Sequence, residues 1–119
     1  VWQYIRENKR YYPVKEDIIS VEILGKGFNQ PLKLKDICLG GVAIYTQKDF
    51  RGNEIGNEIQ IKLKLPDNLT LVIMCEIRHT ELNNSYIGVQ FIDLNKNSKN
   101  IIKKYVEKLK NLHQETESN

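Results

Sequence analysis

The stretch EIQIKLKL, Glu58 to Leu65, alternates apolar and polar side chains without a break. A strand sends successive side chains to opposite faces, so a period of two marks a strand with one face buried. Ile59, Ile61, Leu63 and Leu65 are expected to face a core, with Gln60, Lys62 and Lys64 in water. Pro66-Asp67-Asn68 then supplies turn chemistry. Leu69 to His79 reads as a long strand, with Leu71, Ile73, Cys75 and Ile77 on one face and Glu76 and Arg78 on the other. ELNNS turns the chain again, and Tyr86 to Ile92 reads as the last strand.

The same rule works backwards from residue 58. RGNEIGNE is a loop, and Val42 to Tyr45 is a short strand. Leu32-Lys33-Leu34-Lys35 alternates, but then the pattern slips: Leu34 and Asp36 share parity, and Ile37 takes the other side. A slip of one residue predicts a bulge or a strand end at Asp36. Gly40-Gly41 follows as a tight corner. Ile18 to Leu24 is a further strand, closed by Gly25-Lys26-Gly27. Ahead of it, VWQYIRENKRYYPVKE is basic and aromatic, and Pro13 disfavours a helix through Tyr12.

The period changes from about Ser98. Ile101, Ile102, Tyr105, Val106, Leu109 and Leu112 recur at helical spacing, with Lys103, Lys104, Lys108 and Lys110 between them. The chain is therefore expected to be all-β: five or six short strands forming a small closed barrel, then one amphipathic helix that covers an open end or docks a partner. Residues 1–16 form an N-terminal arm or linker, 17–113 the barrel with its helix, and 114–119 a frayed tail.

The 119 residues fit one domain, and 40% hydrophobic with 28% charged residues excludes a disordered chain. A net charge of +3 suits an anionic partner but falls short of the basic stripe of a nucleic-acid binder. Cys38 and Cys75, with no CxxC, argue against a disulfide framework or a zinc site and for a cytoplasmic chain with free thiols. No metal or other cofactor is expected. No apolar run reaches the roughly 18 residues of a membrane span, and no signal peptide is visible. Asn68-Leu69-Thr70 and Asn83-Asn84-Ser85 match glycosylation acceptors by chance in an Asn-rich chain. The chain lacks a starting Met and is expected to be a piece of a longer protein, with VWQYI as the end of a linker.

An enzyme is not expected. His79 ends a strand and His113 lies in the helical tail, neither with a nucleophile or metal partner in sequence. No neighbour in sequence would activate Cys38, and Gly25-Lys26-Gly27 lacks the strand-to-helix setting of a phosphate loop.

The arginines carry more information. Of 18 basic residues only four are Arg: Arg6, Arg10, Arg51 and Arg78. A guanidinium pairs with phosphate in two-pronged fashion, stacks on flat rings and matches the O6 and N7 acceptors of guanine. Arg6 and Arg10 stand four apart in RENKR, where the bland reading is a solvated arm. In DICLGG, Asp36 to Gly41, a carboxylate at a strand end could accept from the N1–H and exocyclic amine of guanine, and Gly41 would let backbone approach a flat ligand. The bland reading there is a simple β-turn.

Taken together, the chain resembles the PilZ family. That family carries RxxxR on an N-terminal arm and, about two dozen residues later, Asp or Asn, any residue, Ser, any two residues, then Gly. RENKR supplies the first motif intact, and DICLGG supplies the second with Asp36 and Gly41 in place. IGVQFIDL and the basic helix after it look like the family's closing strand and helix. The resemblance covers nearly the whole chain. It implies a six-stranded antiparallel barrel and a receptor or effector domain for the bacterial second messenger cyclic di-GMP. It also implies that Arg6 and Arg10 contact bases and phosphates while Asp36 and Gly41 hold one guanine.

Arg78 is the candidate on a neighbouring strand, with Lys9 and Gln90 behind it. Cys38 stands where the family has Ser, and a thiol is the weaker hydrogen-bonding group. Ligand binding is expected to order the arm, with a downstream protein or an attached N-terminal domain as the further partner. Two rival readings remain open. One is a divergent PilZ domain acting as a protein-interaction adaptor without nucleotide. The other is a small barrel binding single-stranded nucleic acid through Lys-rich strands and Tyr11, Tyr12 and Tyr45.

Overall fold

The computed structural model describes residues 9–15, 17, 19–25, 31–46, 54–81, 85–112 and 116. Six strands and one helix follow in order: β1 (Ser20–Leu24), β2 (Leu32–Ile37), β3 (Gly41–Tyr45), β4 (Glu58–Leu65), β5 (Leu69–Glu81), β6 (Tyr86–Ile92) and α1 (Lys96–Asn111). The strands close into a barrel in the order β1-β2-β3-β6-β5-β4, with β1 pairing β4 to complete the ring. Every pairing is antiparallel. Closure removes the free edges that a small sheet would otherwise expose.

β4 has the bounds and the facing that its alternation predicts. Ile59, Ile61, Leu63 and Leu65 are buried, and on β5 so are Leu71, Ile73, Cys75 and Ile77. Asp67 and Asn68 take the left-handed conformation in the turn between these strands, which short polar side chains tolerate. The slip at Asp36 is a bulge: Leu34 pairs with Ile44, but Asp36 pairs with Ala43, leaving Lys35 as the extra residue. Ile18, Lys26 and Gly27 lie outside the described residues. β1 is accordingly described from Ser20, and Gly25 turns out of it at φ 77°.

The helix begins at Lys96, two residues before the change of period, because Asn95 caps it. The Asn95 side chain accepts the Ser98 N–H at 2.8 Å, meeting one of the donors a helix start leaves open. Ile102, Tyr105, Val106 and Leu109 are buried in the same core as the barrel strands. Tyr105 donates to Asp17 Oδ2 at 3.1 Å, and the Lys108 ammonium lies 3.3 Å from the same oxygen. Burial and the Asp17 carboxylate both push the Tyr105 phenol up, so it serves as a donor. Asn95→Ala should cost about 1 kcal/mol and lower Tm by a few degrees in thermal denaturation; an unchanged Tm would show the cap to be dispensable. Among the described residues, no helix is long and apolar enough to cross a membrane.

Candidate functional site

The site is built on the β3–β6 pair, where Gly41 faces Gln90, Val42 faces Val89, Ala43 faces Gly88 and Tyr45 faces Tyr86. A bulge flanks it on each side. One is at Lys35 on β2. The other is on β5, where Ile77 pairs with Val89 and His79 with Gly88, leaving Arg78 as the extra residue. A bulge bends its strand and re-aims the side chains around it. Arg78 and His79 are therefore both exposed and both reach the same cavity.

The arm enters from β2. β1 pairs with β2 only at Leu32 and Lys33, which leaves the far end of β2 free. Tyr11 takes that end. Its N–H donates to the Ile37 carbonyl at 2.9 Å and its carbonyl accepts the Ile37 N–H at 3.0 Å. Tyr11 is buried in the core, so the arm is anchored here. In the same antiparallel register the next pair outward is Arg10 and Cys38. The Arg10 carbonyl in turn accepts the Thr116 N–H at 2.9 Å.

Between β2 and β3 the chain reverses through Leu39 and Gly40, and the Cys38 N–H donates to the Gly41 carbonyl at 2.9 Å. The Gly40 carbonyl accepts the Phe91 N–H at 2.8 Å, tying this corner to β6. Gly41 is confined by the sheet itself: a Cβ at this position would overlap the Val89 carbonyl oxygen. The absence of a side chain at Gly41 is thus required by β6, whatever ligand the corner also meets.

These elements enclose a cavity of about 480 Å³ lined by Arg10, Asp36, Cys38, Gly40, Gly41, Val42, Ala43, Arg78, His79, Tyr86, Gly88, Val89 and Gln90. Arg10, Asp36, Cys38, Gly41 and Arg78, singled out from the sequence, all stand on its wall, as does Gln90. Arg6 lies outside the described residues, as do Arg51 and His113. Lys9 is described and exposed but does not line the cavity.

Asp36 is the one buried carboxylate among the described residues, 2% exposed, with the Lys35 ammonium 3.2 Å from its Oδ2. Lys35 also lies over the Tyr86 ring, 4.8 Å from its centroid, and Tyr86 packs at 5.8 Å against His79. Arg78 pairs with Glu76 at 2.7 Å. Burial pushes the Cys38 thiol up, and the Asp36 charge adds to this against the backbone N–H groups of Gly40 and Gly41 and the charge of Arg10. Cys38 is thus held as a thiol at neutral pH, which suits a packing and weak hydrogen-bonding group and not a nucleophile. His79 and Tyr86 were not legible as site residues. They flank the ELNNS turn, and only the bulge at Arg78 turns His79 toward the cavity.

The PilZ domain family model matches residues 4–108. No curated protein matches the sequence. Several solved structures share the fold, three of which follow. The PilZ domain of YcgR from Escherichia coli, with c-di-GMP, has a TM-score of 0.68 at 12% identity over 91% of this chain and 93% of that one. The K. pneumonia MrkH–c-di-GMP complex has a TM-score of 0.75 at 19% identity over 91% of this chain and 53% of that one. The Bacillus subtilis inhibitor of motility, MotI/DgrA, has a TM-score of 0.71 at 13% identity over 92% and 52%. The chain thus spans about half the length of the latter two.

Proposed function

The chain belongs to the PilZ domain family, and from this we propose that it is a receptor domain for cyclic di-GMP in a bacterial second-messenger pathway, acting by binding and not by catalysis. The observation that carries the reading is the cavity. Arg10, Asp36, Cys38, Gly41 and Arg78 come from the arm, β2, the corner after it, β3 and β5, and they line one concave surface of about 480 Å³. That volume lies in the range of small-ligand pockets. YcgR and MrkH, which share the fold, were solved with c-di-GMP.

In this reading Arg10 pairs with a phosphate or stacks on a base, and Arg6 does the same from the arm. Asp36 accepts from one guanine edge, Gly41 leaves room above the corner, and Arg78 exchanges Glu76 for the ligand. The switch is the arm. Since Tyr11 is anchored to Ile37 and the Arg10 carbonyl to Thr116, the part that would close over the ligand is the segment ahead of Arg10. Its movement would reach an attached N-terminal domain or a downstream protein. Cys38 and Cys75 are free thiols, which suits the reducing cytoplasm.

Titration calorimetry with cyclic di-GMP tests the proposal. Saturable binding supports it. Absence of heat at high ligand concentration rejects it in favour of an adaptor without nucleotide. A preference for oligonucleotides with a steep salt dependence rejects it in favour of a nucleic-acid binder. Cys38→Ser should tighten cyclic di-GMP binding by no more than about tenfold, because one added hydrogen bond is worth about 0.5–1.5 kcal/mol. If the substitution turned a non-binder into a tight binder, Cys38 and not the arginines would govern the site.

A further inference from the structure

We propose that Glu76 sets the affinity of the site as an internal anion that competes with the ligand phosphates for Arg78. The inference rests on the reading of the cavity as a cyclic di-GMP site and concerns the regulation of that site. A row of positions across the barrel surface carries it. Gly41 on β3 pairs with Gln90 on β6, Gln90 with Glu76 on β5, and Glu76 with Glu58 on β4. Directly opposed residues of an antiparallel pair share a face, so these four positions lie in one row on the outer surface. Gly41 and Gln90 line the cavity, and Glu76 stands one strand further along the row. Arg78, two residues beyond Glu76 on β5, also lines the cavity, and its Nη1 donates back to Glu76 Oε2 at 2.7 Å. A carboxylate of the protein thus already holds one prong of a guanidinium on the cavity wall.

Carboxylate and phosphate offer an arginine the same kind of anionic oxygen, so one can replace the other. The side chains of Arg78 and Glu76 are 40% and 30% exposed, so water screens their bond and leaves it weak enough to exchange. Glu58 opposes the exchange. This exposed carboxylate stands directly opposite Glu76, where like charges repel. Arg78 offsets that repulsion in the free protein. A ligand that draws Arg78 away leaves the two carboxylates facing each other, close to its own phosphates. Whatever else Arg78 touches, a negative charge 2.7 Å from its guanidinium lowers the attraction that a phosphate meets there. Glu76, backed by Glu58, therefore raises the ligand concentration at which the site fills.

The test is calorimetry on the full chain with cyclic di-GMP at about 0.1 M and about 1 M salt, where charges are screened over about 10 and 3 Å. Glu76→Gln, which keeps the shape and removes the charge, should tighten binding about fivefold at the lower salt. Glu58→Gln should tighten it by less. Both gains should shrink at the higher salt, and the Glu76→Gln gain should fall to about twofold or less when Arg78 is already Ala. If wild type binds and Glu76→Gln binds no better, the competition is refuted. If Glu76→Gln binds more weakly, Glu76 positions Arg78 for the ligand instead of withholding it. A gain of equal size in the Arg78→Ala background would trace the effect to net charge and not to Arg78. Each of these three results overturns the role of Glu76 and leaves the receptor reading standing. If neither wild type nor Glu76→Gln binds cyclic di-GMP, the receptor reading falls and the role of Glu76 falls with it.

Discussion

Arg10→Ala should reduce cyclic di-GMP affinity by about a hundredfold or more while leaving the melting temperature within a few degrees of wild type. The two halves of this expectation have separate causes. The Arg10 side chain is exposed and lines the cavity, so its removal takes nothing from the core. What holds Arg10 in place is backbone: its carbonyl accepts the Thr116 N–H, and the next residue, Tyr11, is bridged to Ile37. Alanine keeps both. The affinity loss follows from the guanidinium. A two-pronged contact to a guanine edge discriminates by about 1–3 kcal/mol, and a hydrogen bond to a charged group adds about 1.5–3 kcal/mol. Together these come to about 2.5–6 kcal/mol, and the lower half of that range is already a factor of about 100–1000 in Kd. Lysine should recover part of it, since the charge returns without the planar fork. Calorimetry and thermal denaturation on the same preparations check both halves. An Arg10→Ala variant binding within a fewfold of wild type would remove the arm from the site, and one that melts much earlier would make Arg10 a structural residue.

Gly41→Ala should be the most destabilising single-methyl change in the barrel, costing about 3 kcal/mol or more and lowering Tm by on the order of 10 °C. The added Cβ would meet the Val89 carbonyl oxygen, and the neighbouring Val89 carbonyl carbon and Gln90 Cα lie at 3.1 and 3.2 Å from its position. These are backbone atoms of the paired strand and cannot rotate away. β3 would have to leave β6 at the point where the Gly40 carbonyl also accepts the Phe91 N–H. Gly88→Ala is the control. Its Cβ would come no nearer than 3.4 Å to the His79 Cβ, an ordinary contact. Circular dichroism melts of the two variants should differ clearly, and equal melts would show that β3 can shift at no cost. A loss of ligand binding in Gly41→Ala would report the broken sheet first. The ligand role of this glycine is therefore better tested through Asp36 and Arg10.

The alternation of EIQIKLKL, the slip at Asp36 and the helical period after Ser98 could each be read along the chain, because local periodicity reports which face of an element is buried. The barrel class followed from the run of strands, and the six-strand count came with the family resemblance. RENKR and DICLGG were legible as recognition chemistry because Arg is scarce in a Lys-rich chain and because their order matches a family pattern. Tyr86 and His79 were not legible as parts of the site. Periodicity says nothing about which strands are neighbours, and the wall of the cavity comes from β3 pairing with β6, more than 40 residues further along the chain.

The meaning of Gly41 changed for the same reason. In the sequence it closes a turn and leaves space for a ligand. In the fold it is the point where β3 meets β6 too closely for any side chain. The arm changed too. Its charge and aromatic residues were visible, but its attachment at Tyr11 depends on β1 stopping short along β2, which leaves the Ile37 N–H and carbonyl for another strand to take. Residue types and local period thus specified the elements and the recognition groups. Long-range strand pairing, with one extra residue at Lys35 and another at Arg78, brought those groups to one surface, since a bulge is defined by the strand opposite it and leaves no mark on a single strand that says where its side chain will point.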